Sequence, residues 1–287
     1  MRNSTNHGQH IDENLVEMLR TNVRQKEYYE SESDDPYLEK GGLANHLWVR
    51  TRYALQNMGS NVGINDDVHR LHRDWLGDLS GKKVLDLGCF AGNPLSLHLA
   101  QTSASYLGLD LSEQAVRKLN SSLVEAGLYG LKTRALAGDF LSPAFHETDF
   151  DVIYAVAVLH HFKYLEPTLR LLYDKLAPGG IVVTWDPMQT SLPVRTARTI
   201  YRPFQSDKAW EFPFTRGTFR SFQKYFVIED VQGILGRSKW AFLITPLGTR
   251  YGTHLARRWH EHDLKHANKL GPDLWRCMQV IMKLRRV

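Results

Sequence analysis

The sequence predicts an α/β protein built on a doubly wound parallel sheet of about seven strands. From residue 83 onward, short apolar runs alternate with longer segments in which apolar residues recur every three or four positions. That alternation is typical of parallel strands joined by crossover helices. The composition agrees with a folded globular chain, because 43% of the 287 residues are hydrophobic and 23% are charged.

The predicted elements follow one another in a regular order. An amphipathic helix is predicted at 11–29, and a second helical stretch ends before Gly81. The predicted strands lie at 84–87, 106–110, 133–137, 152–156, 181–185, 226–230 and 240–245. The predicted crossover helices lie at 94–100, 113–125 and 167–176.

These elements group into three regions. We expect an N-terminal helical cap at 1–80, the α/β core at 81–246 with an aromatic insert at about 190–224, and a helical tail at 247–287. The tail is basic, with nine basic and three acidic side chains. Its last segment places apolar residues on one side with arginines as a rim. We therefore expect docking onto the sheet, with peripheral contact to an anionic membrane or an acidic partner as the alternative.

Several classes of protein are excluded. No stretch approaches the roughly 18 consecutive apolar residues of a membrane-spanning helix. The 2 cysteines are too few for a disulfide framework or a four-thiolate zinc site, so we expect a cytoplasmic location. His262 and His266 stand four residues apart without a third ligand, so no metal is expected. No basic and aromatic nucleic-acid module is recognisable, so we expect no nucleic-acid partner.

The strongest local motif is the turn between the first strand and its helix. Gly88 and Gly92 allow backbone angles that other residues avoid, and Asn93 can cap the helix that Pro94 opens. A ligand is therefore expected at the start of that helix. The alternative interpretation is an ordinary strand-to-helix turn.

Acidic residues end the first three predicted strands or follow them closely. Asp86 lies in the first strand, Asp110 closes the second, and Asp139 follows the third. A carboxylate in the position of Asp110 can accept hydrogen bonds from both hydroxyls of a ribose. Asp139 can accept from an exocyclic adenine amine, with Phe140 beside the ring. Taken singly, each aspartate is equally typical of a turn or a helix cap.

With these motifs, residues 82–186 resemble the class I S-adenosylmethionine-dependent methyltransferases. VLDLGCFAG, LGLD, AGDF, FDVIYAVAVLHHF and LAPGG stand in the order and at the spacing of that family. The resemblance implies a Rossmann-like fold and S-adenosylmethionine as the cofactor. It also implies contacts with the cofactor from a set of residues along the strand ends and the N-terminal cap: Asp86, Gly88, Gly92, Asp110, Leu111, Asp139, Phe140 and Tyr28.

Phe90 is the one departure from the family's first motif, which usually has glycine there. Its bulky side chain must turn away from the cofactor or pack against it. A nicotinamide-dependent dehydrogenase is the nearest enzymatic alternative, but its phosphate-binding turn would need glycine at positions 90 and 93. This chain has Phe90 and Asn93 there.

Two histidines follow the fourth predicted strand, at the sheet edge where substrates bind in such folds. Methyl transfer to a hydroxyl oxygen needs a base for the departing proton. The arrangement LHHF followed by Asp186 is similar to sugar O-methyltransferases of natural-product biosynthesis. That similarity implies His160 as base, with His161 as second choice and Asp186 as its orienting carboxylate. Paired histidines that only line the pocket are the alternative.

The aromatic insert is expected to cover the methyl acceptor. Trp210, Phe212 and Phe214 can stack on sugar rings, and Arg202 can bind hydroxyls or an anionic group. Packing of these aromatic residues onto the sheet is the alternative.

The function expected from the sequence is methyl transfer to a hydroxyl of a small molecule, such as a sugar or a glycosylated natural product. Methylation of nitrogen in an amino sugar or another small amine is one alternative. A non-catalytic binding protein that keeps the fold within a biosynthetic complex is the other.

Overall fold

A single sheet of seven strands forms the centre of the described structure. The computed structural model describes residues 13–30, 43–205, 207–243 and 249–287. The strands are β1 (Lys83–Leu87), β2 (Ser105–Asp110), β3 (Thr133–Ala137), β4 (Phe150–Val156), β5 (Leu176–Pro187), β6 (Phe226–Ile234) and β7 (Gln279–Arg286). Their order is β3-β2-β1-β4-β5-β7-β6, and β7 alone runs antiparallel to the other strands. The predicted α/β class is confirmed.

Helices cover both faces and the carboxyl edge of this sheet. They are α1 (Glu13–Glu30), α2 (Leu43–Val62), α3 (Ile64–Leu76), α4 (Ser96–Thr102), α5 (Glu113–Glu125), α6 (Leu165–Lys175), α7 (Leu192–Tyr201), α8 (Arg216–Tyr225), α9 (Thr249–His266) and α10 (Pro272–Trp275). Short 3-10 helices occur at Leu159–His161, Arg202–Phe204 and Ser238–Leu243. Within the described residues, every helix is too short or too polar to cross a bilayer.

Alternating strand residues form two cores, one on each face. Val84 and Val152 pack into the core that α4 and α5 cover, whereas Leu85 and Ile153 pack into the core that α6 and α8 cover. Successive side chains of a strand point to opposite faces, so a strand buried on both faces is apolar throughout its length. This is why the short apolar runs could be recognised as central strands.

The N-terminal helices occupy two different places. α2 and α3 contribute Val62, Ile64 and Val68 to a third core, which also contains Ala256 of α9 and Ile281 of β7. α1 instead lies across the carboxyl edge of the sheet, where its Asn22 side chain meets the loop that follows β3. Residues 1–80 were expected to form one cap, but the described helices of this range, α1 on one side and α2 with α3 on the other, contribute to two separate parts of the molecule.

The last predicted element is wrong in part. Residues 249–266 are helical as expected, but Gln279–Arg286 form β7, which lies between β5 and β6. Val280, Ile281 and Met282 are fully buried, so they cannot face a membrane. The apolar run was short enough to fit helical spacing as well as a buried strand, and the tertiary pairing decided between them.

One predicted strand, at 240–245, is also corrected. Residues 240–243 belong to the 3-10 helix Ser238–Leu243, and residues 244 and 245 lie outside the described residues. The buried Asp263 carboxylate accepts hydrogen bonds from the backbone N–H groups of Gly236, Arg237 and Ser238. These bonds hold the chain in a turn at the start of the 3-10 helix rather than extending it.

Gly88, directly after β1, requires the absence of a side chain. Its φ of 69° lies in the left-handed region, and an added Cβ would stand 2.1 Å from Cγ2 of Val158. Gly127 has nearly the same φ, 70°, with open space around it. A comparison of substitutions at the two positions therefore separates the effect of backbone strain from that of steric overlap.

We expect Gly88→Ala to destabilise the fold more than Gly127→Ala. The backbone strain of about 1–2 kcal/mol is common to both variants, and overpacking against Val158 adds about 1–3 kcal/mol at position 88. Urea unfolding of both variants measures the difference, and adding Val158→Ala to Gly88→Ala should restore part of the loss. Equal losses at the two glycines would show that Val158 imposes no steric limit.

Candidate active site

Asp86 lies beneath the loop after β1 and fixes its shape. The carboxylate is 1% exposed and accepts hydrogen bonds from Asn93 Nδ2 at 3.0 and 3.1 Å, Ser96 Oγ at 2.6 Å and Tyr106 Oη at 2.8 Å. Burial raises the pKa of Asp86 to about 6, although these hydrogen bonds oppose the rise. Asp86, expected to touch the cofactor, does not line the cavity described below. It positions the loop that does.

The loop at 88–93 uses its backbone donors internally. The N–H groups of Gly88 and Cys89 donate to Leu109 O, that of Gly92 to Cys89 O, and that of Phe90 to Asp110 Oδ2 at 2.9 Å. A pyrophosphate site requires such amides to be free for the ligand. These bonds therefore argue against a dinucleotide, in agreement with the sequence analysis.

Phe90 has a backbone conformation that is typical of glycine. Its φ is 47°, in the left-handed region. The side chain is 51% exposed, and its ring centroid lies 6.3 Å from that of Tyr29. The phenyl ring thus borders the cavity at its solvent-exposed side and leaves the interior of the cavity open.

Asp110 and Asp139, both predicted to contact the cofactor, line the cavity that is described below. Asp110 accepts one backbone N–H on each oxygen, from Ser112 and Phe90, so each oxygen keeps a lone pair for a ligand. Burial raises the pKa values of both aspartates. Asp139 accepts from Leu141 N at 2.9 Å and from Asn22 Nδ2 at 3.0 Å to each oxygen.

The cavity has a volume of about 400 Å³ and lies over the carboxyl ends of β1, β2 and β4 and the loop after β3. Neighbouring strands are about 4.8 Å apart, so the ends of β2 and β4 are roughly 10 Å from each other. Polar groups line both sides of an otherwise apolar space. The lining includes Asn22, Gln25, Tyr29, Gly88, Phe90, Gly92, Asp110, Leu111, Asp139, Phe140, Val158, His161 and Phe162.

Tyr28, expected at the cofactor, lies away from this cavity, and its neighbour Tyr29 lines it instead. The Tyr28 ring packs edge-on against Tyr29 and Trp210, with centroids 5.2 and 5.1 Å apart. It therefore fastens α1 to the aromatic insert.

His160 is held between two carboxylates. Its Nδ1 lies 2.8 Å from Asp186 Oδ1, and its Nε2 lies 3.4 Å from Glu211 Oε1. Because both partners only accept hydrogen bonds, both ring nitrogens act as donors, and the ring is an imidazolium. Burial opposes this charge, but the hydrogen bonds to Asp186 and Glu211 prevail and raise the pKa of His160 to about 9. Such a ring cannot accept a proton at neutral pH.

His161 has the opposite protonation state. Its Nδ1 lies 2.8 Å from the carbonyl oxygen of Trp210, which can only accept, so Nδ1 carries the hydrogen and Nε2 keeps a lone pair. Burial and the charge of His160 lower the pKa of His161 to about 4. His161 also lines the cavity, whereas His160 does not. The two rings stand 4.1 Å apart, centroid to centroid.

A second cavity of about 400 Å³ adjoins the first and shares Phe162 with it. Three of the residues predicted to bind the substrate line it, namely Arg202, Phe212 and Phe214. Phe214 is 1% exposed and packs mainly into the core, and Trp210 lies outside the cavity. The remaining lining is mostly polar: Lys163, Gln189, Glu211, Thr215 and Thr218, with Leu159, Leu165 and Pro213.

The nitrogen and oxygen atoms of His160, His161 and Glu211 also lie within 4.8 Å of one another, close enough to surround a metal ion. A cation would have to displace the proton on His160 Nε2, which faces Glu211. We therefore interpret the group as a hydrogen-bonded acid–base cluster.

The site residues that were not predicted include Glu211, Asn22 and Gln25. Glu211 is the one acid within the sequence WEFPF, so its position in the aromatic insert was a usable signal. Asn22 and Gln25 follow Met18 on the buried face of α1, where polar residues are unusual. No local pattern indicated that this face covers the cavity.

Comparison with known sequences identifies the family. The model of a family described as "Methyltransferase domain" matches residues 56–265, which is most of the chain. The chain belongs to the class I S-adenosylmethionine-dependent methyltransferases. The cofactor of this methyltransferase is S-adenosylmethionine.

Relatives of this methyltransferase act on different acceptors, according to their names. Over 119 residues it is 35% identical to a ubiquinone biosynthesis O-methyltransferase of Azoarcus sp. (strain BH72), covering 40% of this chain and 50% of that protein. Over 124 residues it is 30% identical to 24-methylenesterol C-methyltransferase 2 of Arabidopsis thaliana, covering 42% of this chain and 34% of that protein. The chain thus matches only a third to a half of each relative's length.

The fold is also that of a solved methyltransferase. Magnesium protoporphyrin IX methyltransferase from Synechocystis PCC 6803, with bound SAH, has a TM-score of 0.55 and 16% identity. The match covers 92% of this chain and 99% of that one. At this identity, the likeness concerns the fold alone.

The cavity of this methyltransferase fits an adenosyl cofactor. Asp110 offers free lone pairs to the two hydroxyl donors of a ribose, and Asp139 lies beyond it to accept from an amine. Phe140 and Leu111 supply apolar contacts. The volume of about 400 Å³ lies within the usual range for small-molecule sites.

We expect NMR of labelled histidines to separate the two rings, with His160 titrating near pH 9 and His161 near pH 4. The stabilisation from His160 is complete below pH 6.5, its ordinary pKa, and is lost as the pH rises through about 9. Asp186→Asn should lower the pKa of His160 by about 1–3 units, whereas the surface variant Asp174→Asn should not. A wild-type His160 pKa near its ordinary value would contradict the two-carboxylate arrangement.

Proposed function

We propose that this methyltransferase transfers a methyl group to a hydroxyl oxygen of a small polar molecule, such as a sugar or a glycosylated natural product. His161 accepts the departing proton. The observation that carries the proposal is the neutral His161 ring, whose Nδ1–H is bound to Trp210 O and which lines the cofactor cavity beside a polar second cavity. When bound, S-adenosylmethionine supplies an electrophilic methyl group on a sulfonium centre.

The residues that hold the cofactor are those along the carboxyl ends of β2 and β4 and after β3. Asp110 binds the ribose hydroxyls, and Asp139 with Phe140 binds the adenine. Tyr29 and Gln25 of α1 cover the cavity from outside.

The acceptor occupies the second cavity. Lys163, Gln189, Arg202, Thr215 and Thr218 line it with hydrogen-bonding groups, which suits a molecule with several hydroxyls. Arg202 already donates to the carbonyl oxygens of Glu211 and Lys208, at 3.0 and 2.9 Å, so its main effect is to shape the insert. Phe212 offers an aromatic surface to the ring of the acceptor.

A weak base is sufficient for this reaction. An alcohol oxygen becomes strongly acidic as its bond to the methyl carbon forms, so a ring with a pKa of about 4 can take the proton late in the step. Burial and the charge of His160, which Asp186 and Glu211 stabilise, keep the neighbouring His161 unprotonated and ready to accept. His160 is thus a positioning residue, and the base role expected for it passes to His161.

We expect His161→Ala to lower kcat by about 10²–10⁴-fold, the usual contribution of a general base. The exposed His146→Ala serves as the control. With labelled S-adenosylmethionine and a panel of glycosides, the wild-type rate should rise through about pH 4, where His161 loses its proton. It should fall through about pH 9, where His160 loses a proton and with it one of the contacts to Asp186 and Glu211 that position the ring. Full activity of His161→Ala, or activity that EDTA abolishes and a divalent cation restores, would refute the base role.

We expect Asp110→Ala to weaken S-adenosylhomocysteine binding by about tenfold or more, because two hydrogen bonds to a charged acceptor are lost. Isothermal titration calorimetry measures the affinity, with Asp74→Ala on the exposed face of α3 as the control. Unchanged affinity would place the ribose elsewhere. Tight binding without turnover of any acceptor would instead favour the non-catalytic alternative.

A further inference from the structure

A third cavity, of about 300 Å³, lies near the carboxyl ends of β5 and β6 and is separate from the two cavities described above. We call it the basic cavity. Its lining is dominated by positively charged and imidazole side chains, namely Arg237, Lys239, His262, His266 and Arg276. The family comparison and the proposed reaction leave it without a role.

Lys239 is a buried cation without a carboxylate on its nitrogen. The residue is 5% exposed, and its ammonium donates to the carbonyl oxygens of Gly236 and Arg276. Among the described residues, no carboxylate lies within salt-bridge distance of it. Burial lowers the pKa of Lys239. Buried charges in proteins are normally paired, so an anion in the cavity would stabilise this ammonium.

The two acids of the lining are already engaged. The Asp263 carboxylate accepts from the backbone N–H groups of Gly236, Arg237 and Ser238 and from Ser238 Oγ, at 2.8–3.1 Å. Asp273 pairs with Arg276 at 3.0 Å. Neither is therefore available as a dedicated counter-ion for Lys239.

Two further polar atoms in the lining lack partners. Ser191 Oγ and His262 Nδ1 are buried, and neither has a hydrogen-bond partner among the described residues. A hydroxyl and an imidazole nitrogen can both donate. These two atoms lie in the same lining as the Lys239 ammonium, whose acceptors are uncharged backbone carbonyls.

We propose that the basic cavity binds a phosphate group. A tetrahedral phosphate offers several acceptor oxygens and up to two negative charges, which matches a hydroxyl, an imidazole, a buried ammonium and two arginines better than a neutral ligand does. Inorganic phosphate and a small phosphate ester share this chemistry. The site does not depend on the proposed methyl transfer.

The test is titration of the full chain with inorganic phosphate at constant ionic strength, followed by NMR of labelled histidines. The His262 signal should shift at millimolar phosphate. Arg276→Gln should weaken binding by about tenfold, because it removes a charged donor. Arg117→Gln is the matched control, since both arginines are exposed, at 66% and 70%, and both pair with a carboxylate on their own helical segment.

A second arm distinguishes the source of the phosphate. Tighter binding of glycerol 3-phosphate than of inorganic phosphate would assign the site to small phosphate esters, and the reverse order would assign it to the free ion. His262→Ala should weaken either ligand while S-adenosylhomocysteine affinity stays unchanged, which also shows that the variant is folded. An unmoved His262 signal, or equal weakening in Arg117→Gln, would overturn the proposal.

Discussion

The buried carboxylate of Asp86 is the constraint from which the cofactor cavity follows. It gathers three donors, from Asn93, Ser96 and Tyr106, at the end of the central strand. Those bonds fix the path of the loop at 88–93, and the loop in turn places its amides against Leu109 and Asp110. A charge removed from water needs such compensation, so the loop has little conformational freedom. The cofactor cavity over the ends of β1 and β2 stays open because these bonds hold the loop at 88–93 at the wall of the cavity.

The chemistry of the site arises from an asymmetry between adjacent residues of the same type. His160 faces carboxylates on both sides, whereas His161 faces a peptide carbonyl and the charge of its neighbour. One ring therefore stays charged and the other neutral over the same pH range. Environments that push the pKa values of neighbouring groups apart are how proteins assign acid and base roles at neutral pH. Burial and the charge of His160 keep the pKa of His161 low, whereas Asp186 and Glu211 keep that of His160 high. The Trp210 carbonyl fixes which nitrogen of His161 carries the hydrogen.

Much of this could be predicted from the sequence, and the failures have physical reasons. Central strands such as 106–110 were recognisable because residues buried on both faces give continuous apolar runs. β7 was not recognisable, because three apolar residues in a row are compatible with a helix and with a strand until Ile281 is paired with Trp185. The positions of Asp110 and Asp139 at strand ends were enough to predict that they lie close together, and both line the cavity. The protonation states of the two histidines could not be predicted, because Glu211, which lies beside His160, is distant in the sequence. The role of α1 could not be predicted either, because it depends on the contact between Asn22 and Asp139.

The position of β7 has a consequence for how this protein is made. β7 comes after β6 in the chain yet lies between β6 and β5, so its pairs join residues as distant as Ile181 and Arg285. During synthesis, β5 and β6 emerge from the ribosome long before the strand that connects them. Until β7 arrives, both present open backbone edges that can pair with other nascent chains. The pairing of β7 with β5 and β6 is thus a late event in folding. The interval before this pairing is when the chain most needs chaperones.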